Sequence, residues 1–311
     1  MKGTFKLEQS EGLLLYPENY LPGTHVPGTF FLTLDKKQKF NRLSISLKGS
    51  SISTFNIHYY SGSAYITHSI SSTSDFKAVE MTLLDNEELG PGTYEYKFNI
   101  PIPTNWPQSI KEKHGEIRYT VHAHADVPWS FNKNFEQQIT ILPIFDPAFM
   151  SLYMTKPSPF TDVSNLSSTF GFLSSGSKKI AFEVQLARGV SCLNESIEYS
   201  VKVENLSIFD IDSFKTELVK TINLKAQGHS KKVEEVVSSS EIPVQVKMNE
   251  TNSFNSIIPL KSLATTLNEK DNFKISYNIR IVAIGGKDGK SNKKAEFLAP
   301  VVITGPRVDL Q

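Results

Sequence analysis

Hydrophobic and polar residues alternate with period two along most of the chain, the pattern of strands that bury one face and wet the other. Leu43, Ile45 and Leu47 alternate with Arg42, Ser44 and Ser46, and Tyr94, Tyr96, Phe98 and Ile100 alternate with Glu95, Lys97 and Asn99. The rhythm returns after the midpoint, where Ile197, Tyr199, Val201 and Val203 face one way and Glu198, Ser200, Lys202 and Glu204 the other. Turn formers separate these runs at short intervals, among them Pro22-Gly23, Pro27-Gly28, Gly90-Pro91-Gly92 and Gly285 to Gly289. Helical periodicity is confined to two short stretches, Ser262 to Leu267 and, more weakly, Ser109 to Lys113. The expectation is an all-β chain of antiparallel sheets.

At 311 residues the chain is too long for one ordinary sandwich and fits two domains of about 150 residues, each large enough to bury a core. Two prolines in Leu142-Pro143-Ile144-Phe145-Asp146-Pro147 bracket the end of a strand-like run, Phe135 to Leu142, and withdraw donors from a ladder. The junction is therefore placed near residue 146. The expected organisation is a first domain over 1–146, a strand and Ser/Pro-rich loop over 147–178, a second domain over 179–305 and a short tail over 306–311. The stretch from Lys156 to Lys179 is rich in serine and poor in charge; it reads as a linker, with phosphorylation as the alternative.

Charge changes this picture little. Thirty-three Lys and Arg against 32 Asp and Glu leave no global field to draw the molecule onto nucleic acid or an anionic membrane. Charged partners must be met locally, and Lys36-Lys37-x-Lys39, Lys231-Lys232 and Lys287 to Lys294 read as solvated turns, with anionic lipid or phosphorylated tails as the alternative contacts. The single cysteine, Cys192, excludes an internal disulfide and a multi-cysteine zinc site and suits a reducing compartment. The N-terminus lacks the apolar run of a signal peptide, and no window reaches membrane-spanning length. Sequons at Asn165, Asn194, Asn205 and Asn249 are read as chance.

Catalytic constellations are missing from the sequence: there is no phosphate loop, His-Glu-x-x-His or Gly-x-Ser-x-Gly. Cys192 has no recognisable base and reads as structural. His122-x-His124-x-Asp126 would project three ligand types from one strand face, with Tyr119, Val121, Ala123, Ala125 and Val127 packing inward. The preferred reading is a wet polar strand face rather than a metal site, and no cofactor is expected. The aromatics Tyr59, Tyr60, Trp129 and Phe131 are assigned to core packing and loop plugging in preference to partner contact.

Several motifs fall in a distinctive order. Tyr20-Leu21-Pro22-Gly23 precedes Val26-Pro27-Gly28, and Arg42 to Lys48 ends in Gly49. Leu89-Gly90-Pro91-Gly92-Thr93-Tyr94 runs to Pro101, followed by Pro107-Gln108-Ser109, Gly115 to Tyr119 and Asp126-Val127-Pro128-Trp129. This order resembles the arrestin superfamily, and the α-arrestin (arrestin-domain-containing) branch in particular. The second half is similar more loosely, through Lys179 to Leu186, Asn194 to Ser207 with Asn205, Phe273 to Ala283 and Ala299 to Gly305; Leu193-Asn194 stands where the family has Pro-Gly. The glycines are assigned to positive φ or close backbone approach at turns, and the prolines to strand stops.

The resemblance implies two tandem immunoglobulin-like β-sandwich domains and a non-enzymatic adaptor. It implies binding to cytoplasmic tails or loops of membrane proteins, in trafficking, endocytosis and signalling, from a cytoplasmic location with recruitment to the plasma membrane or endosomes. Many α-arrestins reach HECT-type ubiquitin ligases through Pro-Pro-x-Tyr motifs; the sequence has no Pro-Pro, so ligase machinery is expected to be met only indirectly. The competing expectations are a structural subunit of an endosomal coat, like the arrestin-fold subunit of retromer, and a metal- or thiol-dependent regulator built on His122, His124, Asp126 or Cys192. No residue is assigned to cargo.

Overall fold

A computed structural model describes residues 1–9, 18–76, 79–129, 131–165, 178–261, 263–270, 272–285 and 293–307. The chain divides into two compact units, residues 1–144 with 224–231 and 269–273, and residues 145–223 with 232–268 and 274–311.

The first unit is built from β1 (Lys2–Leu7), β2 (Asn19–Tyr20), β3 (His25–Leu34), β4 (Gln38–Ser61), β5 (Ala64–Asp75), β6 (Val79–Leu89), β7 (Gly92–Pro101), β8 (Ile110–Lys111), β9 (Gly115–Asp126) and β10 (Lys133–Ile141). A three-stranded sheet, β1-β3-β7, faces a seven-stranded sheet in the order β2-β10-β9-β4-β5, where β6 also pairs with β4 and β8 with β9. The core fills the space between them: Phe30 of β3 lies against Phe135 of β10 with ring centroids 5.6 Å apart, and against Phe5 of β1 at 5.0 Å. The alternation in β9 sends Tyr119, Val121, Ala123 and Ala125 fully inward, each removing apolar area worth roughly 25 cal/mol per Å².

The remaining strands, which lie in the second unit apart from residues 224–231 and 269–273, are β11 (Phe160–Asn165), β12 (Lys178–Leu186), β13 (Ser191–Cys192), β14 (Ser196–Ser207), β15 (Ile211–Ala226), β16 (His229–Ile242), β17 (Thr251–Pro259), β18 (Leu267–Lys270), β19 (Phe273–Gly285), β20 (Lys293–Val301) and β21 (Ile303–Thr304). A four-stranded sheet, β11-β12-β14-β17, packs on a five-stranded one, β16-β15-β19-β18 with β20 on β19; β13 and β21 form a short parallel pair. Phe182 meets Phe297 at 5.6 Å and Phe214 meets Phe254 at 5.1 Å across this core. The inward side chains of β14, Ile197, Tyr199, Val201 and Val203, are buried as their period requires.

The all-β, two-sandwich class is therefore what the chain adopts, with local departures from the sequence reading. Ser109 to Lys113 is not helical: Ile110–Lys111 pairs with β9. Residues 263–266 are irregular and Leu267 opens β18, so neither expected helix forms; Ser262 itself lies outside the described residues. Among the described residues, helix occurs as a 3-10 turn, Pro147–Phe149, running into α1, Met150–Met154. The Asp146 side chain accepts from the Ala148 N–H at 2.9 Å and Pro147 occupies the first position, a cap written in the dipeptide that looked only like a strand stop. Most of the Ser/Pro-rich loop (166–177) and of the Lys287 to Lys294 cluster (through 292) lies outside the described residues.

Candidate functional site

The motif residues act as bolts between strands. Tyr20 is fully buried, its hydroxyl donates to the Glu8 carbonyl at 2.9 Å, and burial pushes its pKa up to about 12. Pro22-Gly23 then turns with Gly23 at φ 80°, and the Gly23 N–H reaches the Ile102 carbonyl, just past Pro101, at 3.0 Å. Tyr94 donates to Gly90 at 3.0 Å across the turn that holds Gly92, and Tyr119 donates to Pro107 at 2.7 Å. Ser109 Oγ accepts from the Ile141 N–H at 2.9 Å. Gly28 and Gly49 sit inside strands, not at turns: a Cβ would lie 2.7 Å from Phe98 at position 28 and 2.5 Å from Tyr119 at position 49, so close side-chain approach is what requires glycine there. Gly115 likewise lies in β9, and Asn194 takes φ 68°, the left-handed conformation that glycine would adopt in its place.

Asn205 is completely buried and its amide is fully used. It donates to the carbonyls of Phe209 (2.8 Å) and Val246 (3.0 Å) and accepts from the Ser207 N–H (3.1 Å) and Oγ (2.6 Å). The sequon at this position therefore has no free amide to carry a glycan in the folded protein.

The face of β9 opposite the core differs from the expected wet surface. His122 is only 8% exposed and its Nδ1 is buried without a hydrogen-bond partner. Strand register explains the burial: His122 sits between Ser46 of β4 and Glu136 of β10, and His124 between Ser44 and Asn134, within a row of longer side chains. Ser44 and Ser46, expected to be wet, are buried by the same neighbours. The two rings are nearly parallel with centroids 6.3 Å apart; His124 Nδ1 pairs with Asn134 Oδ1 at 2.7 Å, His122 Nε2 lies 3.7 Å from Glu136, and Asp126 accepts from Asn41 at 3.3 Å. The three candidate ligands are thus turned to separate partners, and among the described residues no group of three His, Cys, Asp or Glu is placed to hold a metal ion.

Burial lowers the His122 pKa below its ordinary 6.5, and Lys48 adds to the effect more than Glu136 opposes it. His114 is lowered too, by burial and then Lys231. The unfolded chain therefore takes up protons near its ordinary histidine pKa, about 6.5, that the folded state refuses until lower pH. The expected result is stability that is full above neutrality and falls as pH drops from 7 toward 5. A His122→Gln variant should show a shallower fall in melting temperature over that interval.

His122 forms part of the floor of an open cleft of about 640 Å³ lined by Lys48, Ser50, Asp75, Phe76, Arg118, Thr120, Glu136 and Gln138. Among the described residues, Lys48 and Arg118 have no ion-pair partner. The cleft offers the cations Lys48 and Arg118, the carboxylates Asp75 and Glu136, and hydroxyl and amide groups from Ser50, Thr120 and Gln138.

The strands that line this cleft at Ser50 and Asp75 continue, four residues further along each, into a β-ribbon. β4 pairs with β9 only as far as Ser53, while its pairing with β5 continues to Ser61–Ala64, so residues 54–61 and 64–71 form a two-stranded extension. Beyond Phe55 and Ile70, both buried, Ile57 and Ile66 on the same face are half-buried and the other residues of the ribbon are exposed. Tyr60 is 76% exposed, and Tyr59 and Tyr65 are exposed beside it; Tyr65 stacks on His58 and meets Tyr60 edge-on, each at 5.4 Å. The assignment of Tyr59 and Tyr60 to core packing is thereby overturned, because these strands extend past the sheet that would have buried them. Trp129 and Phe131 are overturned likewise: both project from the β9–β10 connection into solvent. Lys48, Arg118 and Tyr65 were missed in the sequence. One signal was available, since no Asp, Glu, Lys or Arg occurs between Lys48 and Asp75, a long uncharged stretch interrupted by Ser61-Gly62-Ser63.

Cys192 is wholly buried beside Tyr153 and Val190, and burial, then Glu195, pushes its thiol pKa up to about 11. It is protonated at neutral pH, which removes the nucleophile a thiol-dependent regulator needs. Thiol alkylation should be slow in the native protein and fast in denaturant.

Comparison with known proteins agrees with this geometry. Residues 16–148 match the family "Arrestin (or S-antigen), N-terminal domain" and residues 176–308 match "Arrestin (or S-antigen), C-terminal domain". The chain belongs to the arrestin family. Arrestin domain-containing protein 17 of Caenorhabditis elegans is 26% identical over 212 residues, covering 65% of this chain and 49% of the relative. The chain spans about half the length of that curated relative. Its resemblance to the arrestin-domain-containing branch thus has support from a relative as well as from the motifs. Among the described residues, no helix of this arrestin-family chain is long and apolar enough to cross a membrane.

Proposed function

We propose that this arrestin-family chain is a non-enzymatic adaptor that binds cytoplasmic segments of membrane proteins, acting in trafficking from the cytoplasm with recruitment to the plasma membrane or endosomes. The observation that carries the reading is the ribbon over residues 54–71. It carries no Asp, Glu, Lys or Arg, and its tyrosines, Tyr59, Tyr60 and Tyr65, are exposed. A two-stranded ribbon gains little stability by itself in water, so such an extension is a feature of contact rather than of folding. Tyrosines flanked by serine and glycine supply rigid amphipathic contact area at small entropic cost. The outer edge of β5 leaves backbone groups available to an extended peptide, and the adjacent cleft presents Lys48 and Arg118 to acidic side chains of the same peptide. Ubiquitin-ligase components are reached through partners in this reading.

The test is an array of cytoplasmic segments from membrane proteins of the native cell, probed with the full chain. Segments bound by the wild type should lose at least about tenfold in affinity to a Tyr60→Ser/Tyr65→Ser variant, because exposed aromatic anchors carry ~2 kcal/mol or more at an interface. Retained affinity in that variant, with an unchanged melting temperature, refutes the role of the ribbon.

A further inference from the structure

Strand register divides the ribbon into two unlike faces. Phe55, Ile57 and Tyr59 of β4 share one face with Ile66, His68 and Ile70 of β5, and it continues the buried side of the sheet. Asn56, His58 and Tyr60 share the other with Tyr65, Thr67 and Ser69, and all six are exposed. The contacts agree with this parity. Tyr65 lies parallel to His58, with the ring planes 10° apart, and meets Tyr60 at 65°, both at 5.4 Å between centroids. His58 Nδ1 pairs with Thr67 Oγ1 at 2.9 Å, which fixes the imidazole in the stack. Three rings thus form a continuous surface toward the tip of this face, with Asn56 and Ser69 next along it.

The polar groups beside the rings are free. The side chains of Asn56, Tyr60, Tyr65 and Ser69 make no hydrogen bond among the described residues. No Asp, Glu, Lys or Arg stands on either strand of the ribbon. The face therefore offers ring surface and hydrogen-bond donors without charge.

We infer that this face binds an uncharged, proline-rich segment in the polyproline II conformation, with prolines lying on the Tyr60, Tyr65 and His58 rings. The inference rests on the adaptor reading of the ribbon and names the class of segment the ribbon takes. A polyproline II chain has no internal hydrogen bonds, so its carbonyls are left for outside donors, here the two phenols, the Asn56 amide and the Ser69 hydroxyl. Its prolines carry no N–H that would need an acceptor, and its stiffness keeps the entropic cost of docking small. Asn56 to Tyr60 spans about 14 Å of strand, the length of roughly five residues of polyproline II. An acidic or phosphorylated segment finds no counter-charge on this face. A sugar ring also stacks on aromatic faces, but its hydroxyls donate, and the face has no carboxylate to receive them. A strand added to the edge of β5 would use backbone groups and leave the rings idle.

The full chain is titrated by calorimetry with end-capped peptides of about ten residues, enough to span the face. One is built of Pro-Pro-Ser repeats; in two others every proline is replaced by alanine or by arginine. A chitin oligosaccharide serves as the sugar probe. The proline peptide should bind at least about tenfold more tightly than the alanine peptide, with an affinity insensitive to salt. It should shift the ring proton resonances of His58, Tyr60 and Tyr65 in the wild type. Tyr60→Ala/Tyr65→Ala should weaken binding by at least about tenfold at unchanged melting temperature. No binding of the proline peptide, equal affinity for the alanine peptide, or ring resonances that stay in place overturns the inference. Tighter binding of the arginine peptide or the oligosaccharide also overturns it, and assigns the rings to a cation or a sugar. Cytoplasmic segments that bind the ribbon without proline would overturn this inference and leave the adaptor reading standing; an array in which no segment binds would refute that reading itself.

Discussion

Replacing Asn205 with alanine is expected to destabilise the second unit by about 3 kcal/mol, because the substitution removes four hydrogen bonds from a completely buried site. The Ser207 N–H depends on the Asn205 side chain, whereas the Val246 carbonyl keeps the Ile211 N–H at 2.9 Å. Ser207 Oγ can turn to the Phe209 carbonyl, which lies 3.0 Å away, so part of the network survives. For a unit of this size the loss amounts to a melting shift on the order of 10 °C. Asn249 provides the contrast. It is also a sequon asparagine, but it is exposed at φ 58°, and Asn249→Gly should change stability by no more than about 0.5 kcal/mol. Calorimetry on both variants checks the pair of values.

Gly49→Ala is the second large effect, expected to cost about 3 kcal/mol in the first unit through overpacking. The added methyl would sit 2.5 Å from Tyr119 Cε1 and 2.7 Å from Phe76 Cδ2. Tyr119 has no room to retreat: it is fully buried, stacked on Trp106 with centroids 5.0 Å apart, and anchored by its hydroxyl to Pro107. Phe76 packs on the same ring at 6.0 Å. The strain should appear in the near-ultraviolet circular dichroism of Trp106 as well as in the melting temperature. Tyr119→Leu should relieve part of it, so the Gly49→Ala/Tyr119→Leu pair should be less destabilised than the sum of the single changes, a coupling read from a double-mutant cycle. Strict additivity would mean that the glycine is required for some other reason.

The sequence disclosed what is local. Strand period gave the inward faces of β9 and β14, because a residue's side of a sheet follows from its parity alone. The Tyr20, Tyr94 and Tyr119 motifs were visible as motifs, yet their work as hydrogen-bond bolts involves carbonyls up to 12 residues away and needed the fold. What escaped is decided between strands. His122 looked wet because its parity is opposite to the core, and it is buried because Ser46 and Glu136 flank it from β4 and β10. Trp129, Phe131, Tyr59 and Tyr60 looked like core because hydrophobicity does not reveal where a sheet ends. Their exposure follows from the length of β4 beyond β9 and from the place of Trp129 and Phe131 in the connection between β9 and β10. Charge patterning carried more than was taken from it, since the uncharged stretch after Lys48 marks the ribbon and the free Lys48 and Arg118 beside it.

Proximity labelling in the native cell tests the central claim most directly, comparing the full chain with its Tyr60→Ser/Tyr65→Ser variant at equal abundance. The account predicts that the wild type enriches integral membrane proteins, labelled from their cytoplasmic side, and that the variant loses this set while remaining folded. Identical sets for both proteins, or a single soluble stoichiometric complex in place of membrane proteins, would contradict it.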